Sequence, residues 1–199
     1  KAFLRDPERL IATAACLKND KKCSVFKADL DGQPIVIKRY NIVHWRHFLS
    51  RSYRPSRAYR CWEAAKALEK AGLNTPTPIA FIEKRYAGLR GRAYYIYRFE
   101  EGQLLSESLS SVLQTTLIDK VENVLSTLKA HQIKHGDMKA TNWLVQDNNK
   151  VLLIDLDGAR QYRNNAAFLR AWDVDMRRFL KNWAKDPALF REFHDRIFS

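Results

Sequence analysis

The amino-acid sequence predicts an α+β protein in which a small strand-rich part precedes a mainly helical one. Before residue 99, apolar residues alternate with polar ones, as is typical of strands. After Gly102, apolar residues recur at three- and four-residue steps, as is typical of helices. Residues 100–102 separate the two patterns, so we expect one domain at 1–99 and a second at 100–199.

The first part is predicted to form a small sheet with one helix across it. Asp31-Gly32 lies between two alternating segments and is typical of a tight hairpin turn. Residues 57–72 are rich in Ala, Leu, Glu and Lys and end at Gly72, which predicts a helix with a C-terminal glycine. The predicted strands are 24–30, 34–40, 79–84 and 92–99, with a turn at 86–91 between the last two.

The second part is predicted to contain two amphipathic helices on either side of a strand pair. The strands are 143–146 and 151–156, joined by a turn at 147–149. The apolar stripe of the first helix comprises Val112, Leu113, Leu117, Val121, Val124, Leu125 and Leu128. That of the tail helix comprises Phe168, Leu169, Trp172, Met176, Phe179, Leu180 and Trp183.

Charge and composition indicate the kind of ligand and the cellular compartment. The formal net charge of +13 favours anionic ligands such as phosphates, nucleic acid or an anionic membrane surface. No apolar run approaches the ~20 residues that span a bilayer, and residues 1–5 lack the apolar core of a signal peptide. The three cysteines have no metal-binding spacing and are expected to be reduced. We therefore expect a cytoplasmic protein.

The segment His135-Gly-Asp-Met-Lys-Ala-Thr-Asn142 contains the residue types that phosphoryl transfer requires. Asp137, Lys139 and Asn142 share this loop, and Asp155 sits at the end of the predicted strand 151–156. In phosphoryl transfer a carboxylate accepts the proton of the attacking hydroxyl, and a cation screens the transferred group. A carboxylate and an amide oxygen suit Mg²⁺, which prefers hard oxygen ligands.

The same loop resembles the catalytic loop of protein-kinase-like enzymes, with His-Gly-Asp in place of His-Arg-Asp. The resemblance implies a bilobal fold in which Asp137 is the catalytic base and Lys139 contacts the γ-phosphate of ATP. It also implies that Asn142 and Asp155 bind Mg²⁺. Asp157 is a secondary candidate, because residues 155–158 read Asp-Leu-Asp-Gly where the family has Asp-Phe-Gly.

The resemblance further implies an ATP site in the strand-rich part. Lys38 corresponds to the strand lysine that contacts the α- and β-phosphates, and its partner would be Glu63 or, alternatively, Glu69. The loop at 17–24 departs from the family pattern because it contains no glycine. Its candidate phosphate contacts are Lys18, Lys21, Lys22 and Ser24. The adenine is expected at the backbone of 97–101, so the further predicted ATP contacts are Val25, Tyr97, Phe99 and Leu144.

Across nearly its full length the sequence is similar to the lipopolysaccharide core sugar kinases, the Kdo/WaaP family. The similarity is found in residues 35–40, 56–63, 71–80, 135–137 and 154–157. It implies ATP-dependent phosphorylation of a heptose or Kdo hydroxyl of the lipopolysaccharide core, with peripheral contact at the cytoplasmic face of the inner membrane. The short segment after Gly158 also favours a small-molecule acceptor over a protein.

A run of arginines and aromatic residues between 39 and 60 agrees with an anionic sugar acceptor. The structural alternative is a solvated basic segment with its aromatic rings in the core. The residues concerned are Arg39, Arg46, Arg51, Arg54, Arg57 and Arg60, interleaved with Tyr40, Trp45, Phe48, Tyr53 and Tyr59.

Two other functions remain open. An antibiotic or choline-type phosphotransferase shares the His-Gly-Asp loop, but such enzymes have acidic acceptor pockets, whereas this chain is basic. A catalytically silent kinase-like stress protein or nucleic-acid binder agrees with the missing glycines. Nucleic acid is not the expected partner, because no known binding module is visible, and the sequence indicates no obligate protein partner.

Overall fold

The computed structural model describes residues 6–41, 55–86, 89–109, 115–147 and 149–198. The chain divides into two compact units. The first comprises Lys1–Glu63 and Pro76–Glu100, and the second comprises Ala64–Thr75 and Glu101–Ser199. The predicted helix near residue 60 therefore begins in the first unit and ends in the second.

The first unit is built on an antiparallel sheet of five strands in the order β1-β2-β3-β5-β4. Its elements are α1 (Pro7–Ala12), β1 (Ala15–Asn19), β2 (Cys23–Leu30), β3 (Gln33–Tyr40), the start of α2 (Arg57–Lys70), β4 (Pro78–Tyr86) and β5 (Leu89–Arg98). The predicted hairpin is confirmed: Asp31 and Gly32 have φ angles of 54° and 80°, as a type I′ turn requires.

The two faces of this sheet bury different sets of residues. Ile35 and Ile37 of β3 join one apolar cluster, while Tyr40 lies on the opposite face with Ala58 and Cys61 of α2. Side chains two apart on a strand share a face, so Lys38 lies on the same side as Tyr40.

Glu8 of α1 attaches this helix to the sheet. Its carboxylate accepts hydrogen bonds from Tyr94 Oη at 2.7 Å and from Arg39 and Arg92 at 3.1 Å each. Although burial alone raises the pKa of Glu8, the hydrogen bond from Tyr94 and the two arginines lower it overall. The sequence analysis did not predict α1 or β1.

The second unit packs helices around a three-stranded sheet, in the order β6-β8-β9, and a two-stranded one, β10-β7. Its elements are the end of α2, β6 (Gln103–Leu104), α3 (Leu105–Ser108), α4 (Thr115–Ala130), β7 (Ile133–Lys134), β8 (Trp143–Val145), β9 (Val151–Leu153), β10 (Arg160–Gln161), α5 (Asn165–Lys181) and α6 (Pro187–Phe198). Short 3₁₀ turns cover Ala140–Asn142 and Leu156–Gly158. Phe179 of α5 lies in the core against Trp143, Trp183 and Phe193.

Two predictions for this unit need revision. The predicted strand 151–156 is too long: β9 ends at Leu153, because Asp155 adopts a left-handed conformation with φ of 60°. The predicted stripe of the tail lies on α5, except that Leu169 is 47% exposed and Trp183 follows the helix, and a further helix, α6, comes after it. Val112 and Leu113 of the predicted first helix lie outside the described residues.

Among the described residues, no helix combines the length and apolar character that crossing a membrane requires.

Candidate functional site

The predicted catalytic loop lies in the second unit, between β7 and β8. Two backbone bonds shape it: Lys139 N–H donates to Asp137 O at 2.8 Å, and Asn142 N–H donates to Lys139 O at 2.9 Å. The side-chain Nδ2 of Asn142 also donates to Asp137 O at 2.8 Å. The backbone of Asp137 is thus bonded directly to both of the other predicted functional residues of the loop.

Antiparallel pairing of β8 with β9 places Asp155 beside this loop. The pairs run from Val145 with Val151 to Trp143 with Leu153. One more bond continues the pairing, from Ile154 N–H to Asn142 O at 2.9 Å. Asn142 therefore precedes β8 at the end of the pair where Asp155 follows β9.

Two glycines allow the catalytic loop and the loop after Asp155 to touch through their backbones. Gly136 has φ of +85°, and a Cβ placed on it would lie 2.5 Å from the carbonyl oxygen of Gly158. Real Cβ contacts are not this short, so the position requires glycine. Gly136 is the residue at which the sequence departs from His-Arg-Asp, and the contact gives a structural reason for that departure.

The buried side chain of His135 also links the predicted catalytic loop to the segment that contains Asp155. Its side chain is 1% exposed, and Nε2 lies 2.9 Å from Ile154 O. A carbonyl oxygen only accepts hydrogen bonds, so Nε2 bears the proton and Nδ1 can accept from Asp137 N–H at 3.4 Å. Burial lowers the pKa of His135 despite the opposing effects of the Ile154 carbonyl and nearby aspartates, which keeps the ring neutral.

Asp175 of α5, which was not predicted from the sequence, holds the start of the predicted catalytic loop through hydrogen bonds to its backbone. Its carboxylate is 2% exposed and accepts backbone N–H bonds from His135 at 2.8 Å and from Gly136 at 2.8 and 3.1 Å. A sequence signal did exist: Asp175 falls between Trp172 and Phe179 on the apolar stripe of the tail helix. A carboxylate at such a position indicates a buried polar contact.

The carboxylate of Asp137 lies between two cations. Lys139 Nζ is 3.3 Å from Oδ2, and Arg178 Nε of α5 forms an ion pair with Oδ1. Oδ1 is buried and accepts no well-aligned hydrogen bond from the described residues. Burial by itself raises the pKa of Asp137, but Lys139, Arg178 and Asn142 outweigh it and hold the pKa below its ordinary value of 3.8. Sequence reasoning also missed Arg178, for which no local pattern gave a signal.

The predicted metal ligands fit a hard cation in their chemistry. Because Asn142 donates its amide nitrogen to Asp137 O, its Oδ1 is left as the oxygen able to face a metal. Asp155 is exposed two residues beyond β9, and Asp157 is partly buried in the following 3₁₀ turn. No cluster of three His, Cys, Asp or Glu side chains occurs in the part of the chain that the structure describes. A site built from one carboxylate and one amide does not call for such a cluster.

The residues predicted to bind ATP phosphates lie mainly in the first unit. Lys38 is only 7% exposed and sits on β3 opposite Val25 of β2 and Tyr95 of β5. Glu63 is exposed on α2, and no ion pair joins it to Lys38 in the described regions. Glu69 pairs with Lys66 at 2.8 Å. The glutamate partner of Lys38 therefore stays a prediction.

The glycine-free loop forms the β1–β2 turn. Lys18 is exposed and pairs with Asp20 at 3.0 Å, and Lys21 is exposed in the turn. Ser24 is fully buried, and its Oγ donates to Asn19 Oδ1 at 2.9 Å. The Ser24 hydroxyl therefore closes the turn, which leaves the lysines as its exposed candidates for phosphate.

Three residues predicted to contact adenine each pair or pack within their own unit. Tyr97 lies on β5 beside Tyr95, with ring centroids 5.1 Å apart. Phe99 N–H donates to Pro34 O at 3.0 Å, and Lys27 Nζ lies 3.7 Å from the centre of the Phe99 ring. Leu144 is buried on β8 of the second unit, opposite Leu104.

The basic aromatic run is described only at its ends. Tyr40 is buried with its hydroxyl 3.3 Å from Cys61 Sγ, and Tyr59 packs edge-on against Phe81. These two rings therefore pack within the first unit, as the structural alternative predicted. Arg46, Arg51, Arg54, Trp45, Phe48 and Tyr53 lie outside the described residues.

A comparison with protein families assigns the chain. The model of the lipopolysaccharide kinase (Kdo/WaaP) family matches residues 26–193. The chain belongs to this family. The matched range includes Lys38, the catalytic loop and Asp155, and it begins after the β1–β2 turn.

Structural comparison agrees on the fold of this Kdo/WaaP family member. A solved structure described as WaaP in complex with acyl carrier protein matches with a TM-score of 0.69 and 17% identity, covering 97% of this chain and 82% of that chain. Since 1853 solved chains match, the fold alone does not select an activity, and the family match does. No curated protein matches the chain.

Membership confirms the predicted class of enzyme. The chain is a kinase of the lipopolysaccharide kinase family, with a kinase-like α+β fold, and it uses ATP to phosphorylate a hydroxyl acceptor.

Proposed function

We propose that this kinase transfers the γ-phosphate of ATP to a hydroxyl of a heptose or Kdo residue in the lipopolysaccharide core. The proposal depends most on one observation. Asp137 and Asn142 are bonded to each other within one loop, and that loop is bonded to the strand that leads to Asp155. Such a set provides a base and two oxygen ligands at fixed spacing.

Asp137 is the proposed general base. Its low pKa keeps it ionised at neutral pH, ready to orient the acceptor hydroxyl and accept its proton. The hydroxyl oxygen then bonds to the γ-phosphorus while the bond from that phosphorus to the bridging oxygen of ADP breaks. The proton leaves Asp137 for water, so the products are ADP, the phosphorylated sugar and one proton.

Lys139 is proposed to screen the charge of the transferred phosphoryl group. Half of its side chain is exposed, and its amine lies 3.3 Å from Asp137 Oδ2, next to the proposed base. Lys38 is proposed to contact the α- and β-phosphates, and Glu63 to be its partner. Lys18 and Lys21 are further candidate phosphate contacts. Residues 1–99 would form the nucleotide domain and residues 100–199 the catalytic domain.

Asn142 and Asp155 would hold Mg²⁺, which screens the phosphate charges when bound. Their side-chain oxygens are the hard ligands this ion prefers. Asp155 is proposed rather than Asp157 because it lies two residues beyond β9, at the end of the strand pair where Asn142 lies.

An acidic, lipid-anchored acceptor agrees with the charge of the chain. The formal net charge is +13, and a field of that sign attracts phosphorylated or carboxylated sugars. We therefore propose that the enzyme works in the cytoplasm, in peripheral contact with the cytoplasmic face of the inner membrane. The same charge argues against the cationic acceptors of antibiotic and choline-type phosphotransferases.

An acceptor panel tests this proposal. Purified enzyme would be incubated with γ-labelled ATP, Mg²⁺ and core oligosaccharides, with an aminoglycoside and choline as alternative acceptors. We expect label on core sugar alone, at a single hydroxyl identified by NMR. Transfer to the aminoglycoside or choline but not to core sugar would overturn the acceptor assignment.

A further inference from the structure

The carboxylate of the proposed base has a cation at each of its oxygens. Lys139 Nζ lies at Oδ2 and Arg178 Nε at Oδ1. An acceptor hydroxyl must hydrogen-bond to one of these oxygens before its proton can be transferred. Each carboxylate oxygen has two lone pairs, so the hydroxyl can bind beside a cation, and the acceptor then lies next to Lys139 or Arg178.

Each of these cations can also bind an anionic group of a substrate. The γ-phosphate of ATP provides one for Lys139 under the proposed function. Arg178 has no second acid paired with it among the described residues, and its contact with Oδ1 lacks hydrogen-bond alignment. An anionic group of the acceptor would supply a further partner.

The Arg178 side chain is suited to such a partner. It is 46% exposed, and its contact through Nε leaves the two terminal nitrogens of the guanidinium for other ligands. A guanidinium binds phosphate or carboxylate through two parallel N–H bonds, with an energy and a geometry that lysine does not match.

We propose that Arg178 forms an acceptor subsite for an anionic group, a phosphate or a carboxylate, carried close to the hydroxyl that is phosphorylated. The proposal rests on the proposed function, because it assumes that Asp137 receives the acceptor hydroxyl. An anion bound there would share the guanidinium with Asp137 and so hold the acceptor hydroxyl beside the base.

The test compares matched acceptors with matched variants. The acceptors are a core oligosaccharide, the same oligosaccharide after removal of its phosphates, and the same oligosaccharide with its Kdo carboxylates reduced to alcohols. The enzymes are the wild type, Arg178→Ala, Arg178→Lys and, as a control, Arg177→Ala. Arg177 is the neighbouring exposed arginine, paired with Asp173 at 3.0 Å rather than with Asp137.

For the wild type, we expect removal of the recognised anion to lower kcat/KM roughly tenfold to a hundredfold, as for the loss of a hydrogen-bonded charge. Arg178→Ala should show a similar loss with the intact acceptor and almost no further loss when the anion is removed. Arg178→Lys should fall between, and Arg177→Ala should behave as wild type. The KM for ATP should stay constant in every variant. The modified acceptor that lowers kcat/KM in the wild type shows whether Arg178 binds a phosphate or a carboxylate.

Two results would overturn the inference, and they differ from failure of the proposed function. One is a loss in Arg178→Ala that is equally large for intact and modified acceptors, which would limit Arg178 to an effect on Asp137. The other is that Arg178→Ala phosphorylates all three acceptors as fast as the wild type does. If the wild type phosphorylates no core oligosaccharide at all, the proposed function itself fails. Thermal unfolding of each variant verifies that the fold is intact.

Discussion

Gly136 and Gly158 are in backbone contact, and a Cβ on Gly136 would lie 2.5 Å from the carbonyl oxygen of Gly158. This contact joins the loop of the proposed base to the loop that follows the proposed metal ligand Asp155. The spacing between the two proposed functional carboxylates therefore depends on two residues that have no side chain.

Gly136→Ala should damage both stability and activity. The positive φ of Gly136 alone costs an alanine about 1–2 kcal/mol, and the clash with Gly158 adds roughly 1–3 kcal/mol. Gly72→Ala is the matched control, because Gly72 has φ of +76° and open space around its Cβ position. Urea unfolding and kcat should separate the two variants. Equal losses of stability with unchanged kcat would contradict the proposed role of the contact.

Asp175→Asn should loosen the catalytic loop. The carboxylate accepts both backbone N–H groups of His135 and Gly136 while buried, and an amide turns one acceptor into a donor. We expect a loss of about 2–3 kcal/mol in the free energy of unfolding, together with lower kcat.

Asp173→Asn provides the control on the same helix. Asp173 is half-exposed and paired with Arg177, so its loss should change stability by less than about 1 kcal/mol. If both variants unfold at the same urea concentration, Asp175 does not anchor the loop as inferred.

His135 should make stability depend on pH below about 6.5. Burial lowers its pKa in the native state, so at mildly acidic pH the unfolded chain binds a proton that native His135 does not. The free energy of unfolding should fall as pH decreases through this range, by at most about 1.4 kcal/mol per pH unit. The contribution is fully present above the ordinary histidine pKa.

Urea unfolding between pH 7 and pH 5 measures this slope. The slope should flatten in His135→Asn and stay as in the wild type in His131→Asn, whose side chain is exposed. An unchanged slope in His135→Asn would contradict the neutral, buried histidine.

Asp155→Asn and Asp157→Asn should distinguish the metal ligand. Asparagine tolerates the left-handed backbone of Asp155, so the first substitution removes charge without strain. We expect Asp155→Asn to raise the half-saturating Mg²⁺ concentration for ATP turnover by roughly tenfold or more, with a much smaller effect for Asp157→Asn. The reverse order would assign the metal to Asp157.

Local sequence patterns predicted the elements whose formation depends on residues close together in the chain. The Asp31-Gly32 hairpin, the helix ending at Lys70 and the strands β8 and β9 follow from turn chemistry and periodicity. The catalytic loop could be proposed from the sequence because Asp137, Lys139 and Asn142 lie within six residues of one another.

Contacts between distant residues could not be predicted in this way. Glu8 meets Tyr94, 86 positions away, and Asp175 meets Gly136, 39 positions away. Arg178 is the clearest case, because an exposed helix arginine gives no local indication that it faces Asp137. The left-handed conformation of Asp155, which shortens the predicted strand, likewise depends on the fold around it.

The role of Asp137 is tested by transfer of labelled phosphate from ATP to core oligosaccharide by the wild type and by Asp137→Asn, with ATP binding measured in the same samples. Asparagine preserves the shape of Asp137 but cannot accept the hydroxyl proton. We predict that ATP binding is retained and that transfer falls by roughly a hundredfold or more. Transfer by Asp137→Asn at the wild-type rate would contradict the assignment of Asp137 as the base.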